Sequence, residues 1–225
     1  MFIVTILSPL ALLRSEKILI NLAYIWSYVV IKSLGFICNL QIEVIGEKNL
    51  PKKPFIIACK HQSVVETVFL MTYIDFPVFI IKKQLLRIPF YGWFLTMMGM
   101  IAIDRTKGTK TLKKLLIQCK TIFTNKRNLI IFPEGTRTKP FEEKRFKSGI
   151  ILIKKHFQHV PLIPVAINSG LFWQKNSLLI KPGTINLHIL PEINYSDNKQ
   201  FLNYLQKVIN QNSNRLCKTI DKKIL

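Results

Sequence analysis

Acidic residues are scarce in this 225-residue sequence, where 12 Asp and Glu against 33 Lys and Arg leave a formal net charge of +21. So large a positive excess indicates an anionic partner, either a nucleic acid or an anionic membrane surface. Hydrophobic residues make up 49% of the chain. Because a nucleic-acid binder usually carries its charge on a polar fold, and no basic stripe with interleaved aromatics is present, the composition favours a membrane and argues against nucleic acid.

Cysteines are few and scattered, at positions 38, 59, 119 and 217, and they form no C-x-x-C pair. This pattern argues against a disulfide framework or a zinc site and indicates buried thiols in a reducing compartment. A secretory signal is disfavoured as well, because the N-terminus has neither a basic start nor a clear small-residue cleavage site. We predict that the protein holds neither a metal nor a cofactor.

The first 40 residues stand apart as two apolar runs, MFIVTILSPLALL and ILINLAYIWSYVVI, joined by the charged RSEK and followed by SLGFICNL. Residues 18–31 would form about 21 Å of helix, which is shorter than the hydrocarbon core of about 30 Å. A helix continued to Leu40 would span it, with Lys32 reaching the headgroups. Two short helices in one leaflet, or two core helices covering the domain, are the alternatives. We predict that residues 1–40 are an apolar, helical, membrane-associating segment.

From residue 41 onward, short apolar runs alternate with helical patterns. Strands are predicted over residues 42–46, 55–59, 78–82, 100–104, 128–132, 161–167 and 184–190. Helices are predicted over residues 64–73, 89–99, 109–125 and 148–157, and the tail from Asp197 has the pattern of a basic amphipathic helix. Strands that alternate with helices favour a single α/β domain over residues 41–225, with a mostly parallel central sheet flanked by helices.

The segment KHQSVVETVFL places His61 and Glu66 at the head of an apolar helical run. Positions five apart on a regular helix are separated by about 140° around its axis, so the two side chains meet only if the helix begins after His61. Ser63 and Glu66 have the capping-box spacing that would begin it there. Two interpretations follow from these residues. Either Glu66 caps a helix, or it orients the imidazole so that the second ring nitrogen acts as a general base.

Each of three further segments, taken alone, is only weak evidence of a functional site. FPEGTR, residues 132–137, follows the apolar NLII, so it lies where open α/β sheets bind ligands, and Glu134 and Arg137 offer an acceptor and a fork of donors for a phosphate. An ordinary charged turn would look the same. IAIDRTKG places Arg105 beside Asp104, which by itself suggests a surface ion pair, and VPLIPVAI has the pattern of a buried strand.

Together, the segments HQSVVE (61–66), IAIDR (101–105), FPEGTR (132–137) and VPLIPVA (160–166) resemble, in this order, the motif blocks of the glycerolipid acyltransferase family, of the lysophosphatidic acid acyltransferase type. The resemblance covers roughly residues 41–190, and RFKSGI at 145–150 is also similar to the family. The aspartate usual in the family's His-x4-Asp motif is Glu66 here, a longer side chain with the same charge and the same acceptor oxygens.

This resemblance implies an enzyme that transfers a fatty acyl group from acyl-CoA or acyl carrier protein to the free hydroxyl of lysophosphatidic acid, giving phosphatidic acid. It implies that His61 is the general base and that Glu66 orients it, with the acceptor hydroxyl as the nucleophile and Ser63 as a cap. The substrate-binding residues expected from the motifs and neighbouring cations are Lys60, Arg105, Glu134, Gly135, Thr136, Arg137 and Lys147. The expected location is the cytoplasmic face of the inner or plasma membrane.

Two alternatives stay open at the level of the sequence. The first is a related acyltransferase whose acceptor is another lysophospholipid, a lyso-aminolipid or glycerol-3-phosphate. The second is a membrane lipid-binding protein without catalytic activity, which kept the fold after the aspartate became Glu66. The partners expected from the main interpretation are the phospholipid bilayer, the lysophospholipid acceptor and acyl-CoA or acyl carrier protein, with no nucleic acid.

Overall fold

The computed structural model describes residues 15–104, 108–194 and 200–224. The strands are Leu40–Ile45 (β1), Ile56–Cys59 (β2), Pro77–Lys82 (β3), Ile101–Ile103 (β4), Asn128–Ile131 (β5), Leu162–Ile167 (β6) and Gly183–Ile189 (β7). The helices are Glu16–Cys38 (α1), Val65–Tyr73 (α2), Tyr91–Met97 (α3), Gly108–Thr124 (α4), Gly149–His156 (α5) and Phe201–Ile224 (α6). Short 3-10 turns cover Glu47–Asn49, Lys83–Arg87 and Ser169–Leu171.

The seven strands form one sheet in the order β1-β7-β6-β2-β5-β3-β4. Every neighbouring pair is parallel except β6 and β7. Strands β2 to β6 therefore run in one direction and end at one edge of the sheet, which we call the carboxyl edge, and β1 and β7 begin at that same edge. The prediction of an α/β domain with a mostly parallel sheet is confirmed.

The central strands β2, β5 and β6 are buried along their whole length. Their sequences, IIAC, NLII and LIPVAI, are almost continuously apolar, as expected for parallel strands covered by helices on both faces. Strand β7 alternates between buried and half-buried residues instead, because it lies nearer the edge of the sheet. The predicted strands all exist, and their ends differ by at most two residues because hydrogen bonding, rather than apolar content, sets where each strand begins and ends.

Helix α1 is continuous over 23 residues, and it is long and apolar enough to cross a membrane, a criterion that core helices of soluble proteins and signal sequences also meet. One side of its first half joins the core through Leu19, Ile20 and Ala23, where the helix packs against α2. Its first turn is tied to the opposite edge of the sheet, because Glu16 accepts a hydrogen bond from Arg127 just before β5. The run that precedes RSEK lies outside the described residues.

The cysteines occupy the environments that the sequence suggests. Cys59, Cys119 and Cys217 are buried, Cys38 is half-buried, and all four are thiols rather than disulfides. Burial raises the pKa of the Cys119 thiol to about 12. Among the described residues, no cluster of His, Cys, Asp and Glu side chains has the geometry of a metal site.

Candidate active site

His61 and Glu66 meet in the turn that joins β2 to α2, at the carboxyl edge of the sheet. The Nδ1 atom of His61 lies 2.9 Å from Oε1 of Glu66. The imidazole is 17% exposed, whereas the carboxyl group is fully buried. A carboxylate that accepts from Nδ1–H selects the tautomer in which Nε2 carries a lone pair, so the pair has the arrangement of a general base and its orienting group.

Glu66 also shapes the turn itself. Its Oε1 atom accepts hydrogen bonds from the backbone N–H groups of Gln62, at 2.6 Å, and Ser63, at 2.7 Å. The helix begins one residue later than the predicted capping box requires: Val64 is the N-cap, and the Ser63 hydroxyl only accepts a long 3.4 Å bond from the Val65 N–H. Val64, and not the predicted Ser63, is therefore the N-cap, although Glu66 still accepts from the Ser63 N–H as the predicted capping box requires. The two interpretations of Glu66 are thus compatible.

A serine that the sequence analysis missed completes the environment of Glu66. The hydroxyl of Ser169 donates to Oε2 of Glu66 at 2.8 Å, and both side chains are fully buried. Ser169 lies in the turn after β6, where the apolar strand gives way to the polar NSG, and this change at the carboxyl edge is the signal that sequence reasoning had available. The same turn is fixed by the Gly170 N–H, which donates to Oε1 of Gln62 at 3.0 Å.

The FPEGTR segment packs directly on the turn that carries His61. The Phe132 ring stacks on the imidazole, with ring centroids 4.0 Å apart and planes inclined by 17°. The N–H and hydroxyl of Thr138 both donate to the His61 carbonyl, at 2.8 and 3.0 Å. Gly135 has a φ of +72°, in the left-handed region that favours glycine, and this turn directs Glu134 inward. Two motifs that are distant in sequence thereby pack against each other, through residues 61, 132 and 138.

Glu134 and Lys60 lie behind the imidazole as a buried pair. Oε1 of Glu134 accepts from the His61 N–H at 3.3 Å and lies 3.6 Å from Nζ of Lys60. Its second oxygen, Oε2, is buried and has no hydrogen-bond partner among the described residues. Burial raises the pKa of Glu134 above the usual carboxyl value, although the Lys60 charge and the nearby N–H groups oppose the change. Glu134 therefore keeps one acceptor atom for a donor that the described residues do not supply.

Lys60 is enclosed rather than open to solvent, with 1% of its side chain exposed. Its ammonium donates to Oδ1 of Asn210 at 2.8 Å and to the Glu142 carbonyl at 2.9 Å. Asn210 belongs to α6, so the C-terminal helix takes part in holding the site, which the sequence analysis did not foresee. In this position the ammonium meets Glu134 and not a ligand at the surface.

The remaining predicted binding residues fall into three groups. Thr136 and Arg137 are half-buried and follow Glu134 in the same turn. Lys147 has an exposed side chain, and its N–H donates to the Pro133 carbonyl at 2.9 Å, so it lies against the FPEGTR segment. Arg105 lies outside the described residues.

A thiol lies next to the pair. Cys59, the last residue of β2, is fully buried, and its Sγ donates to the Lys60 carbonyl at 3.1 Å. Burial raises the pKa of this thiol well above its usual value, and the negative charges of Glu66 and Glu134 raise it further. Because the thiolate is the reactive form of cysteine, full burial and a raised pKa both disfavour Cys59 as a nucleophile.

An apolar cavity of about 160 Å³ lies among α1, α2, α3 and β3. Its walls include Trp26 of α1, Met71 of α2 and Phe94 of α3. Val64, at the start of α2, and Phe79 of β3 also line it, and the Phe79 ring lies 6.3 Å from Phe132, which stacks on His61. The Phe132 ring therefore lies between the imidazole and Phe79, which lines this apolar space.

A histidine that contacts a buried carboxylate at the carboxyl edge of an α/β sheet is an arrangement that can activate a hydroxyl for attack on an acyl compound. Residues 41–168 match the family model described as Acyltransferase, and the chain belongs to that family. The resemblance noted from the motifs is thereby confirmed.

Several curated relatives carry the name 1-acyl-sn-glycerol-3-phosphate acyltransferase. The protein of Pseudomonas aeruginosa is 34% identical over 166 residues, which cover 74% of this chain and 64% of that protein. The Helicobacter pylori protein is 40% identical over 133 residues, covering 58% of this chain and 55% of the relative. The Saccharomyces cerevisiae protein is 34% identical over 135 residues, covering 58% and 44%. The matched part of the chain thus spans less than two thirds of the length of each of these relatives.

A solved structure has the same fold. The crystal structure of the 1-acyl-sn-glycerophosphate (LPA) acyltransferase PlsC from Thermotoga maritima superimposes with a TM-score of 0.71, over 89% of this chain and 80% of that one. The two sequences are 22% identical, so this likeness bears on the fold alone.

Proposed function

We propose that this protein transfers a fatty acyl group from a thioester, acyl-CoA or acyl carrier protein, to the free hydroxyl of lysophosphatidic acid, giving phosphatidic acid. The observation that carries the proposal is the 2.9 Å contact between Nδ1 of His61 and Oε1 of Glu66, at the ligand-binding edge of the sheet. Membership of the acyltransferase family supports acyl transfer, and the names of the relatives support the acceptor.

In this mechanism, Nε2 of His61 removes the proton of the acceptor hydroxyl as its oxygen attacks the thioester carbonyl. Glu66 stabilises the imidazolium that results, and general-base catalysis of this kind typically contributes about 10²–10⁴ in rate. When the tetrahedral intermediate collapses, the C–S bond breaks and the leaving thiolate takes the proton back from His61. The new ester and the free thiol account for every atom, and no protein nucleophile is needed.

The FPEGTR turn supplies the polar contacts in this proposal. Arg137 binds the phosphate of the acceptor, together with Lys147 and Arg105, because guanidinium and ammonium groups suit phosphate oxygens. Oε2 of Glu134, buried and without a partner among the described residues, accepts from the glycerol hydroxyl or from an arginine. Lys60 does not touch the substrate in this proposal but positions Glu134. Gly135 and Thr136 determine the backbone conformation of the turn.

The apolar cavity holds the fatty acyl chain, with helix α3 as one wall. The substrates are amphiphiles, so the enzyme must work at a bilayer. The apolar surface of α1 and the net charge of +21 support attachment to an anionic leaflet, at the cytoplasmic face of the plasma membrane.

The experiment that tests this function supplies purified protein with lysophosphatidic acid and each thioester donor in turn, and follows phosphatidic acid. We expect product with the parent chain, none with His61→Ala, and parental rates with the control His159→Ala, which changes an exposed histidine. Substantial activity in His61→Ala would remove the general-base role. Acylation of glycerol-3-phosphate or a lyso-aminolipid in place of lysophosphatidic acid would show a related acyltransferase. No acylation of any acceptor would favour a lipid-binding protein.

A further inference from the structure

Two leucines project into solvent from the segment between the turn Ser169–Leu171 and β7. Leu178 is 99% exposed and Leu179 is 68% exposed. We call residues 174–182 the leucine loop. Neighbouring large apolar side chains that are this exposed mark a contact surface more often than single scattered ones do.

The leucine loop is a built structure, held by its own hydrogen bonds. The Trp173 indole N–H donates to the Ser177 carbonyl at 2.9 Å, and the Leu179 N–H donates to the Ser177 hydroxyl at 3.0 Å. The base of the loop is closed by the Lys181 N–H, which donates to the Phe172 carbonyl at 2.9 Å. The leucines are therefore presented outward by a defined backbone.

The loop lies at the same edge of the sheet as the His–Glu pair. It leads into Gly183, whose N–H donates to the Asn39 carbonyl at 2.9 Å, and β7 then runs parallel to β1 from that edge. Asn39 immediately follows α1, and the last turns of α1 carry two more exposed apolar side chains, Phe36 at 92% and Ile37 at 77%. Two exposed apolar segments, far apart in sequence, thus adjoin the same edge of the sheet, where Gly183 meets Asn39.

The charges around these segments are positive. Lys175 and Lys181 are exposed within the leucine loop, and Lys32 is exposed in α1. No acidic residue occurs between positions 168 and 190. Apolar segments framed by lysines match the boundary between headgroups and acyl chains in an anionic leaflet, where apolar side chains enter the lipid and ammonium groups meet phosphates.

We propose that the leucine loop is a membrane contact that inserts Leu178 and Leu179 into an anionic leaflet beside the end of α1, so that the edge carrying His61 faces the lipid. This inference rests on the proposed function, because a lipid acceptor would then pass from the leaflet to the site without crossing water. An acidic carrier protein is the competing occupant. The loop projects rather than forming a groove, and it continues the apolar end of α1, so a lipid surface fits it better.

The test uses the full chain and cosedimentation with phosphatidylcholine vesicles, with and without roughly one third phosphatidylglycerol. The double variant Leu178→Ser/Leu179→Ser should bind the anionic vesicles at least about tenfold more weakly than the parent, because two leucines no longer enter the lipid. Lys175→Gln/Lys181→Gln should lose binding to anionic vesicles, by about fivefold or more, and lose much of its salt dependence. The control Ile117→Ser removes an exposed apolar side chain, 69% exposed, from helix α4 and should bind like the parent.

Activity separates this inference from the function on which it rests. With a short-chain lysophosphatidic acid that is monomeric in solution, and without vesicles, the leucine variant should acylate at the parental rate. Parental vesicle binding by that variant would overturn the inference. If that variant also lost activity only with a carrier-protein thioester as the donor, the loop would instead be a contact surface for the carrier protein. If the parent acylates nothing, the proposed function fails, and the cosedimentation result still decides the role of the loop.

Discussion

Two buried carboxylates, Glu66 and Glu134, flank His61 and are held in different ways. The two oxygens of Glu66 receive hydrogen bonds from the Gln62 and Ser63 N–H groups, the His61 ring and the Ser169 hydroxyl. Glu134 has one oxygen shared between the His61 N–H and Lys60, and a second oxygen with no partner among the described residues.

This difference in hydrogen-bond partners indicates that Glu66 and Glu134 have different roles. A carboxylate whose oxygens are all engaged by the protein is not free to bind a substrate, so Glu66 is suited to orienting the imidazole and holding the turn. The buried Oε2 atom of Glu134 lacks a hydrogen bond until a substrate supplies a donor. Leaving a buried polar atom unpaired costs free energy, so binding such a donor is favourable. Changes around Glu66 should therefore lower kcat, and changes around Glu134 should raise the acceptor KM.

The largest effect is expected from Glu66→Gln. The substitution keeps the size of the side chain but removes the charge that stabilises the imidazolium, so kcat should fall by about 10³-fold, with KM nearly unchanged. Steady-state kinetics with varied lysophosphatidic acid measures both constants, and thermal unfolding checks that the variant is folded. A folded variant with near-parental kcat would show that Glu66 serves only to cap the turn.

Arg137→Ala tests the other side of the comparison. Loss of a guanidinium that grips the acceptor phosphate should raise the acceptor KM by about 30-fold and leave the KM of the thioester nearly unchanged. Lys139→Ala removes an exposed cation from the same segment and should alter neither constant by more than about twofold. An equal rise of both KM values in Arg137→Ala would remove the phosphate assignment.

A smaller effect is expected from Ser169→Ala, which removes one donor from Oε2 of Glu66 but leaves the contact with His61. We expect kcat to fall by about tenfold and the pH profile of kcat to move, since one hydrogen bond to a charged group contributes about 1.5–3 kcal/mol. Ser213→Ala is the matched control, because Ser213 is equally buried and its hydroxyl accepts from the Ile167 N–H instead. An unmoved pH profile in Ser169→Ala, or the same profile change in Ser213→Ala, would contradict the positioning role.

The smallest effect concerns stability and pH at Glu134. Burial raises the pKa of Glu134 in the folded protein, so over a range of pH the folded chain holds a proton that the unfolded chain has released. The stability of the parent should therefore fall as pH rises through that range, relative to Glu134→Gln, which has no proton to lose. We therefore compare the melting temperatures of the parent and Glu134→Gln. The difference between the two should change by about 2–4 °C between about pH 4 and about pH 8. A constant difference would mean that the pKa of Glu134 is not raised on folding.

Much of the fold could be predicted because its central strands are simple in sequence. The buried strands β2, β5 and β6 are continuous apolar runs between turns, a pattern that few other structures share. The meeting of His61 and Glu66 was also within reach, because their spacing permits contact only across a helix start. These features depend on neighbouring residues, which the sequence displays directly.

The parts that could not be predicted depend on distant elements. Ser169 reaches Glu66 across 103 positions, and Asn210 reaches Lys60 across 150, so each contact exists only because β6 and α6 return to the same place. Lys60 beside a histidine suggests an open cation, and nothing nearby reveals that its ammonium points into a buried pocket made by α6. The predicted boundary at residue 40 stays a prediction.

The enclosed thiol of Cys59, whose pKa burial raises, has a practical consequence at the bench. In the proposed reaction with acyl-CoA as the donor, CoA would be released, and its sulfhydryl could be followed continuously with a coloured disulfide reagent. Such reagents react with accessible thiolates, and Cys59, with its raised pKa, offers none although it lies within one residue of Lys60 and two of His61. Turnover can therefore be recorded in the presence of the reagent without labelling the centre that is being measured.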